Sequence, residues 1–425
     1  MSNPTHPLQI RDYRLIWLTR FISVIGTNSM VVVIGAQTYM LARETGMSKE
    51  QASFLLGILG LVQFIPFMLL TPIAGLLADR LDRRYLGAAA TAADLGIALV
   101  LGAANQWGFL SLPLLFTLAA CYGAARVFIG PALSAIVPNV VPANLLPKAV
   151  ATSAVAWQSG AVIGPAAGGF LLAADHALPY WTSSVMLALA AMCLLAIRHR
   201  APPAAANEHP IKMMKDGARF VWRERFLLGC VTLDLFAVLL GGATAMLPAF
   251  AYDVLHVGDE GLGLMRAAPA FGSMLIAIYL GFRPIQREVG AKMLWAVAVF
   301  GLATLLFGLS KSFPLSLAML ALLGGADSVS VFVRSTLVQL NTPDEMRGRV
   351  SSISGLAISA SNELGEMQSG LAAAFLGPVG AVALGGAGAI LVTALWTWLF
   401  PELKRAKTFA PQYRDPKPAT QESVS

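Results

Sequence analysis

Charge is the first thing this sequence is short of. Only 12% of its 425 residues are Asp, Glu, Lys or Arg, about half the share found in soluble domains. So few charges cannot clothe one large water-soluble core, and that class is excluded. Cysteine is scarce as well. Cys121, Cys193 and Cys230 lie in or at the ends of apolar stretches, with no C-x-x-C spacing. They read as small buried hydrophobes, not as redox or metal ligands. The five histidines, His6, His176, His199, His209 and His256, fall outside or at the ends of those stretches. No metal site and no buried histidine switch is expected. The phosphate-cradling pattern G-x-x-x-x-G-K-[ST] is absent, so ATP is not the energy source within this chain. No nucleophile–His–acid set stands out, which argues against an enzyme and against a cofactor. The polar opening "MSNPTHPLQIRDYR" leads into an apolar run far longer than a signal peptide, so the first span is read as retained.

Apolar length is what the chain has in abundance, with 56% hydrophobic residues. Twelve stretches, most near the ~20 residues that cross a bilayer, are placed at 14–38, 53–74, 86–105, 110–137, 148–173, 179–197, 226–248, 262–282, 292–310, 314–339, 350–376 and 379–400. Lipid offers no partner for backbone N–H and C=O groups, so each stretch is predicted to be a helix. The net charge of +7 does not mark a nucleic-acid partner. With the N-terminus placed inside, 23 basic residues fall in inner segments and only Arg43, Lys49 and Lys311 in outer ones. This bias predicts both termini in the cytoplasm of a multi-pass protein of the inner (plasma) membrane. The surplus cations set topology and meet membrane lipids.

Residues 198–225 separate six spans from six. This stretch opens with a Pro/Ala linker and becomes basic, with Ile211, Met214, Ala218 and Val221 at helical spacing. Two readings stand: an amphipathic helix at the inner surface, or a solvated linker. The halves echo each other at an offset of 201. Gly123, Ser134, Pro142, Ser153, Gly164 and Gly169 fall on Gly324, Ser335, Pro343, Ser354, Gly365 and Gly370. The expected division is a six-helix bundle over 1–197, the linker 198–225, a second bundle over 226–400, and a disordered tail over 401–425.

Three motifs carry the chemistry. "GLLADRLDRRYLG", residues 75–87, follows the second span. Gly75 is read as permitting a tight turn, Asp79 as an acceptor for helix ends, and Arg80, Arg83 and Arg84 as contacts of the inner surface. "RVFIGPA" sets Arg126 in the middle of the fourth span, where an arginine is by default functional; a purely structural salt bridge is the other reading. "GAVIGPAAGG" packs Gly160, Gly164, Gly168 and Gly169 around Pro165 in the fifth span. Small residues let helices approach closely in a membrane, and a proline loosens the helix, so a tight, bendable seam is expected there.

These motifs resemble those of the major facilitator superfamily. Residues 75–87 are similar to its signature G-x-L-A-D-R-x-G-R-K, with Asp82 in place of glycine. Arg126 resembles the arginine of R-x-x-Q-G, with Ile129 in place of glutamine. Residues 160–169 resemble G-x-x-x-G-P-x-x-G-G of its antiporter-type exporters. With "WLTRFISVIG" and "GGADSVSVFVRSTLVQLNTPDEMRGRV" (324–350), the chain looks like the enterobactin-exporter group from Asp12 to about Pro401. The resemblance implies an all-α membrane protein of twelve helices in two pseudo-symmetric bundles, exporting a siderophore or drug-like compound by proton antiport and alternating access. The alternatives are a proton-independent facilitator or importer, and a non-transporting sensor on the same fold. The expected partners are a small molecule, protons and lipids; the chain is expected to be a monomer.

The same resemblance places the first, fourth, seventh and tenth helices around the cavity, with Arg20, Arg126, Asp234 and Asp327 on them. Arg20, Arg126 and Asn28 are candidates for the substrate cavity. Asp327, Asp94, Asp234 and Glu363 are candidates for the coupling proton. Arg20, Arg266 and Arg334 have a second reading, snorkelling toward the membrane surface. Asp327 and Arg334 are seven apart and share a face, as do Glu363 and Glu366, three apart. By the 201 offset Asp327 is the counterpart of Arg126, and an Arg126–Asp327 pair across the cavity is expected. By resemblance, Asp79 should hold its connector near Arg347 and Arg349.

Overall fold

The computed structural model describes residues 5–198 and 210–410. Helices α1 (Arg11–Glu44), α2 (Lys49–Arg80), α3 (Arg83–Gln106), α4 (Leu112–Val140), α5 (Leu146–Ala174) and α6 (Leu178–Leu195) build the first half. A short helix, α7 (Pro210–Arg223), precedes α8 (Arg225–Leu240) and α9 (Leu247–Ala249). The second half continues with α10 (Gly258–Phe282), α11 (Val289–Leu309), α12 (Phe313–Leu340), α13 (Asp344–Leu399) and α14 (Pro401–Arg405). Among the described residues there is no strand.

Three of the expected spans look different in detail. The seventh is discontinuous: α8 stops at Gly241 and Gly242, and a tight turn, α9 and a π-helical stretch (Phe250–Val254) complete a crossing of 30 residues. It therefore runs beyond the expected limit at 248. The last two spans adjoin without a loop, 56 residues interrupted by non-helical backbone at Gly377; one straight helix of that length would measure about 84 Å at 1.5 Å per residue against an apolar layer of about 30 Å. They must be two spans. The reversal is made at Gly377, whose φ of 70° is open to glycine, followed by Pro378. Among the described residues, eleven apolar helices thus make twelve crossings.

The internal repeat is visible in backbone contact. A side chain at Gly123 on α4 would run into the Gln63 carbonyl of α2, and one at Gly324 on α12 into the Pro269 carbonyl of α10. The pair Gly57 and Gly370 (α2 on α13) likewise matches Gly263 and Gly169 (α10 on α5). These α2–α13 and α5–α10 crossings join the halves.

The two ends of the molecule are packed differently. The end bearing the turns 45–48, 107–111, 175–177, 255–257 and 310–312 has few basic residues and is called here the sparse end. There one apolar cluster joins both halves, with Val33, Ile34 and Leu56 beside Met246, Phe250 and Leu262. At the other, basic end each half packs its own cluster. Tyr13, Ile16 and Ile136 belong to the first, and Val221, Phe226 and Leu403 to the second.

The helix expected in the linker exists, but its packed face differs. Val221 is buried in the second half's cluster, Gly217 sits against the Arg349 carbonyl, and Ala218 is exposed. The Ile211 side chain lies outside the described residues. The tail begins as structure, not as a loose end. Leu403 on α14 is fully buried, and the Gly290 N–H donates to the Ala406 carbonyl at 2.9 Å. Residues 411–425 lie outside the description. Cys230 is buried as expected, but Cys121 is exposed.

Candidate functional site

Two cavities lie at mid-depth. The first, about 110 Å³, is lined by Gln63 and Arg126 from the first half and by Arg266, Glu363 and Glu366 from the second. The second, about 330 Å³, is lined by Trp157 and Gln158 of α5, Phe300 of α11, Asp327 of α12, and Asn362 and Glu366 of α13. Glu366 faces both.

Arg126 does not pair with Asp327. Its Nη2 donates to Glu363 Oε1 at 2.5 Å, from α4 to α13, and so across the two halves. The rings of Phe67 and Tyr122, 4.9 and 5.6 Å from its guanidinium carbon, cover its faces, a stacking that guanidinium favours. The offset rule failed here because it presumes equivalent side chains facing each other; the actual partner comes from a different helix pair. Asp327 instead looks into the second cavity. It has no ion-pair partner among the described residues and is within electrostatic reach of Asp234 and Arg334.

The two other arginines do not snorkel. Arg334 pairs with Asp234 of α8, both side chains nearly buried. That bridge lies inside the second half, and removing one partner would strand a buried charge. Arg266 reaches Glu366 at 3.8 Å and donates to the Thr244 carbonyl at 2.7 Å. This carbonyl lies in the turn that follows the break at Gly241–Gly242 and also accepts from the Leu247 N–H, so the arginine adds a second donor there. Asp94 on α3 is fully buried, and neither carboxyl oxygen has a hydrogen-bond partner; Arg126 is within electrostatic reach. Of the substrate-cavity candidates, only Arg126 lines these two cavities. Arg20 is half-buried on α1, and Asn28 lies in the α1–α5 contact.

The fifth-span glycines divide between two jobs. Gly160, Gly164 and Gly168, four apart, all face α1; added Cβ atoms would lie 2.8 Å from Val24, 2.7 Å from the Ile25 carbonyl and 2.9 Å from the Ser29 carbonyl. That contact lies inside the first half. Gly169 faces the other way, with an added Cβ 2.7 Å from Gly263 Cα on α10. The Pro165 carbonyl approaches the same glycine. The seam between halves therefore runs along Pro165 and Gly169.

In the 75–87 motif, Gly75 makes no turn: it lies within α2 with open space around it. The Asp79 side chain lies outside the described residues, and Arg80 is exposed. The departure from the signature, Asp82, caps α3 by accepting from the Arg84 N–H at 3.0 Å. It also pairs with the Arg84 guanidinium at 2.7 Å. Arg84 in turn donates to the Ile197 carbonyl at the end of α6 at 2.5 Å. Arg83 is half-buried.

A cluster at the sparse end was not foreseen. Asp253, in the π-helical stretch of the second half, accepts from the Tyr39 hydroxyl and pairs with Arg43 at 3.6 Å and Lys49 at 3.3 Å, all from the first half. The signal was available: Arg43 and Lys49 are two of only three cations in that end's loops. Among the described residues, no His/Cys/Asp/Glu group could hold a metal ion.

The sequence profile of the transmembrane secretion effector family matches residues 2–425. The enterobactin exporter EntS of Escherichia coli strain SE11 is 27% identical over 412 residues, 96% of this chain and 95% of that protein. The enterobactin exporter EntS of Shigella boydii serotype 18 matches equally. Among solved structures, a POT family transporter in complex with 5-aminolevulinic acid superposes with a TM-score of 0.73 at 13% identity, over 92% of this chain and 96% of that one. A bacterial homologue of the human lysosomal transporter Spinster gives 0.68 at 16% identity, over 95% and 97%. These likenesses establish the fold.

Proposed function

Because the chain belongs to the transmembrane secretion effector family, a branch of the major facilitator superfamily, we propose that it exports a small organic molecule, a siderophore or drug-like compound, by proton antiport. It does so in the inner membrane, with the basic end and both termini in the cytoplasm. The moving bodies are residues 1–197 and 226–400, joined by 198–225. The observation that carries the reading is the Arg126–Glu363 pair, which crosses the two halves at a cavity wall beside Arg266 and Glu366. A charge pair across a moving boundary links the protonation of one half to the position of the other. When Glu363 takes a proton, its hold on Arg126 weakens and the halves are free to part. Asp94 and Asp327, without ion-pair partners, are the sites through which a proton reaches and leaves this pair. With the sparse end sealed by a shared apolar cluster, cargo loads from the basic, cytoplasmic end, as an exporter requires.

Inverted membrane vesicles test the reading. A catecholate siderophore and the dye ethidium are offered outside, with the lumen acidified by an imposed pH jump. Uptake of at least one, abolished by a protonophore and by Glu363→Gln, is expected. Equal uptake with and without the gradient would overturn proton coupling.

A further inference from the structure

The charges around the two cavities do not cancel. Arg126 is matched by Glu363, Arg266 by Glu366 and the Thr244 carbonyl, and Arg334 by Asp234. Asp327 remains. It is half-buried and lines the 330 Å³ cavity, whose lining contains no lysine or arginine. The same lining carries two aromatic rings. Trp157 is 53% exposed although it stands at the cavity wall, while Phe300 is 7% exposed. Gln158 is fixed there, its amide donating to the Ala270 carbonyl at 2.6 Å, and Asn362 adds a second amide. The volume suits a drug-sized molecule.

We propose that this cavity selects an organic cation with an apolar or aromatic body, with Asp327 as its counter-ion and Trp157 as its aromatic face. The inference rests on the reading of this cavity as a transport site and narrows its cargo. A cation over the indole face gains from the ring's negative potential, and the unmatched carboxylate supplies the opposite charge. An anion of the same shape meets the unmatched Asp327 in a lining without lysine or arginine, a repulsion that rejects it. The groups facing Asp327 are Asp234 and Arg334, already paired with each other, and Glu366 across the cavity. A proton on Asp327 competes with the cargo, so binding strengthens as pH rises and weakens on acidification.

Tetraphenylphosphonium and tetraphenylborate have nearly one shape and opposite charge, which makes them suitable probes. Equilibrium dialysis against the purified full chain, corrected for protein-free micelles, should show the phosphonium bound at least tenfold more tightly than the borate. Asp327→Asn should lower that ratio about tenfold or more, Asp327→Glu should restore most of it, and Arg20→Ala should leave it unchanged. Equal binding of both probes, or an unchanged preference in Asp327→Asn, overturns the proposal. So does a preference for the borate that Arg20→Ala abolishes. If the Asp327 variants fail to fold, quenching of Trp157 by the phosphonium in the wild type, absent in Trp157→Phe and absent with the borate, decides. Proton-driven uptake of the catecholate without phosphonium binding would defeat the cation assignment and leave the exporter reading standing.

Discussion

The sparse end and the basic end use the same small residues for opposite purposes. At the sparse end, Gly57 meets Gly370 and Gly169 meets Gly263, backbone against backbone between halves. One apolar cluster runs through both halves there, and Asp253 holds three side chains from across the boundary. At the basic end, Gly217 and Gly290 pack only within the second half, Gly75, Gly348 and Gly355 have open space around them, and each half keeps its own core. A glycine in a membrane helix is therefore not by itself a sign of close packing. At one end it is a contact already made. At the other, Gly75, Gly348 and Gly355 leave room that the proposed alternating-access cycle would fill.

Adding bulk at the closed end should have the largest effect. In Gly169→Leu the new Cβ would lie 2.5 Å from the Asp259 carbonyl and 2.7 Å from Gly263 Cα, so the sparse end cannot seal. The protein should still insert, since the α1–α5 contact is untouched, but transport should fall by about 100-fold or more. Spin-label distances should show the sparse end held open. Gly168→Leu strikes the α1–α5 contact inside one half. It should lower thermal stability by an overpacking cost of about 1–3 kcal/mol, without favouring either end. A sealed sparse end in Gly169→Leu would break the comparison.

Next comes the pair between the ends. Glu363→Gln leaves the Arg126 charge without its acid. For a fully buried pair that loss runs to about 3–5 kcal/mol; with Arg126 24% exposed, a smaller figure, about 2 kcal/mol, is expected after discounting for screening. Transport should drop by about 30-fold. Arg126→Gln combined with Glu363→Gln should be less damaging than the two single losses added. Additive losses in this double-mutant cycle would show that the pair does not act as a unit.

The twelve crossings were legible because length and apolarity report directly on a bilayer. What hydropathy cannot see is backbone geometry: the boundary of the last two spans at 377–378 was legible, but the break at Gly241–Gly242 inside the seventh went unread. The interior charges were legible too, since a charge in a span stands out. Their partners were not. Spacing tells which face of its own helix Asp327 occupies, but not how α12 is rotated against α4; the assumption of strict symmetry paired Arg126 with Asp327 in place of Glu363. Asp253 was overlooked because an acid near a span end looks like any loop acid. Its importance comes from Tyr39, Arg43 and Lys49, which lie over 200 residues earlier.

A subtler change sharpens the comparison at the sparse end. Asp253→Asn removes the charge that Arg43 and Lys49 share, a partly exposed cluster worth about 1 kcal/mol. A modest loosening is expected: about a fivefold rise in labelling of a cysteine placed at Val32 by an impermeant reagent added from the sparse side. The rise should shrink in high salt. No change in labelling would mean that the apolar cluster seals that end alone. The smallest effect belongs to the open end. Gly355→Ala, with nothing within 4 Å of the new atom, should leave stability within about 0.5 kcal/mol; a large destabilisation in a thermal-shift assay would contradict the open space.

The turn at Gly377 bears on how the protein is assembled. Residues 371–380, "LAAAFLGPVG", contain no charged or polar side chain, and the helix resumes at once on the far side of the turn. A connecting loop normally has to be carried through the apolar layer during biosynthesis, with its peptide groups unsatisfied at several kcal/mol each. Here there is no such loop to carry. The last two crossings can enter lipid together, as one preformed hairpin, and the chain's final insertion step is freed from the translocation barrier that every earlier hairpin must face.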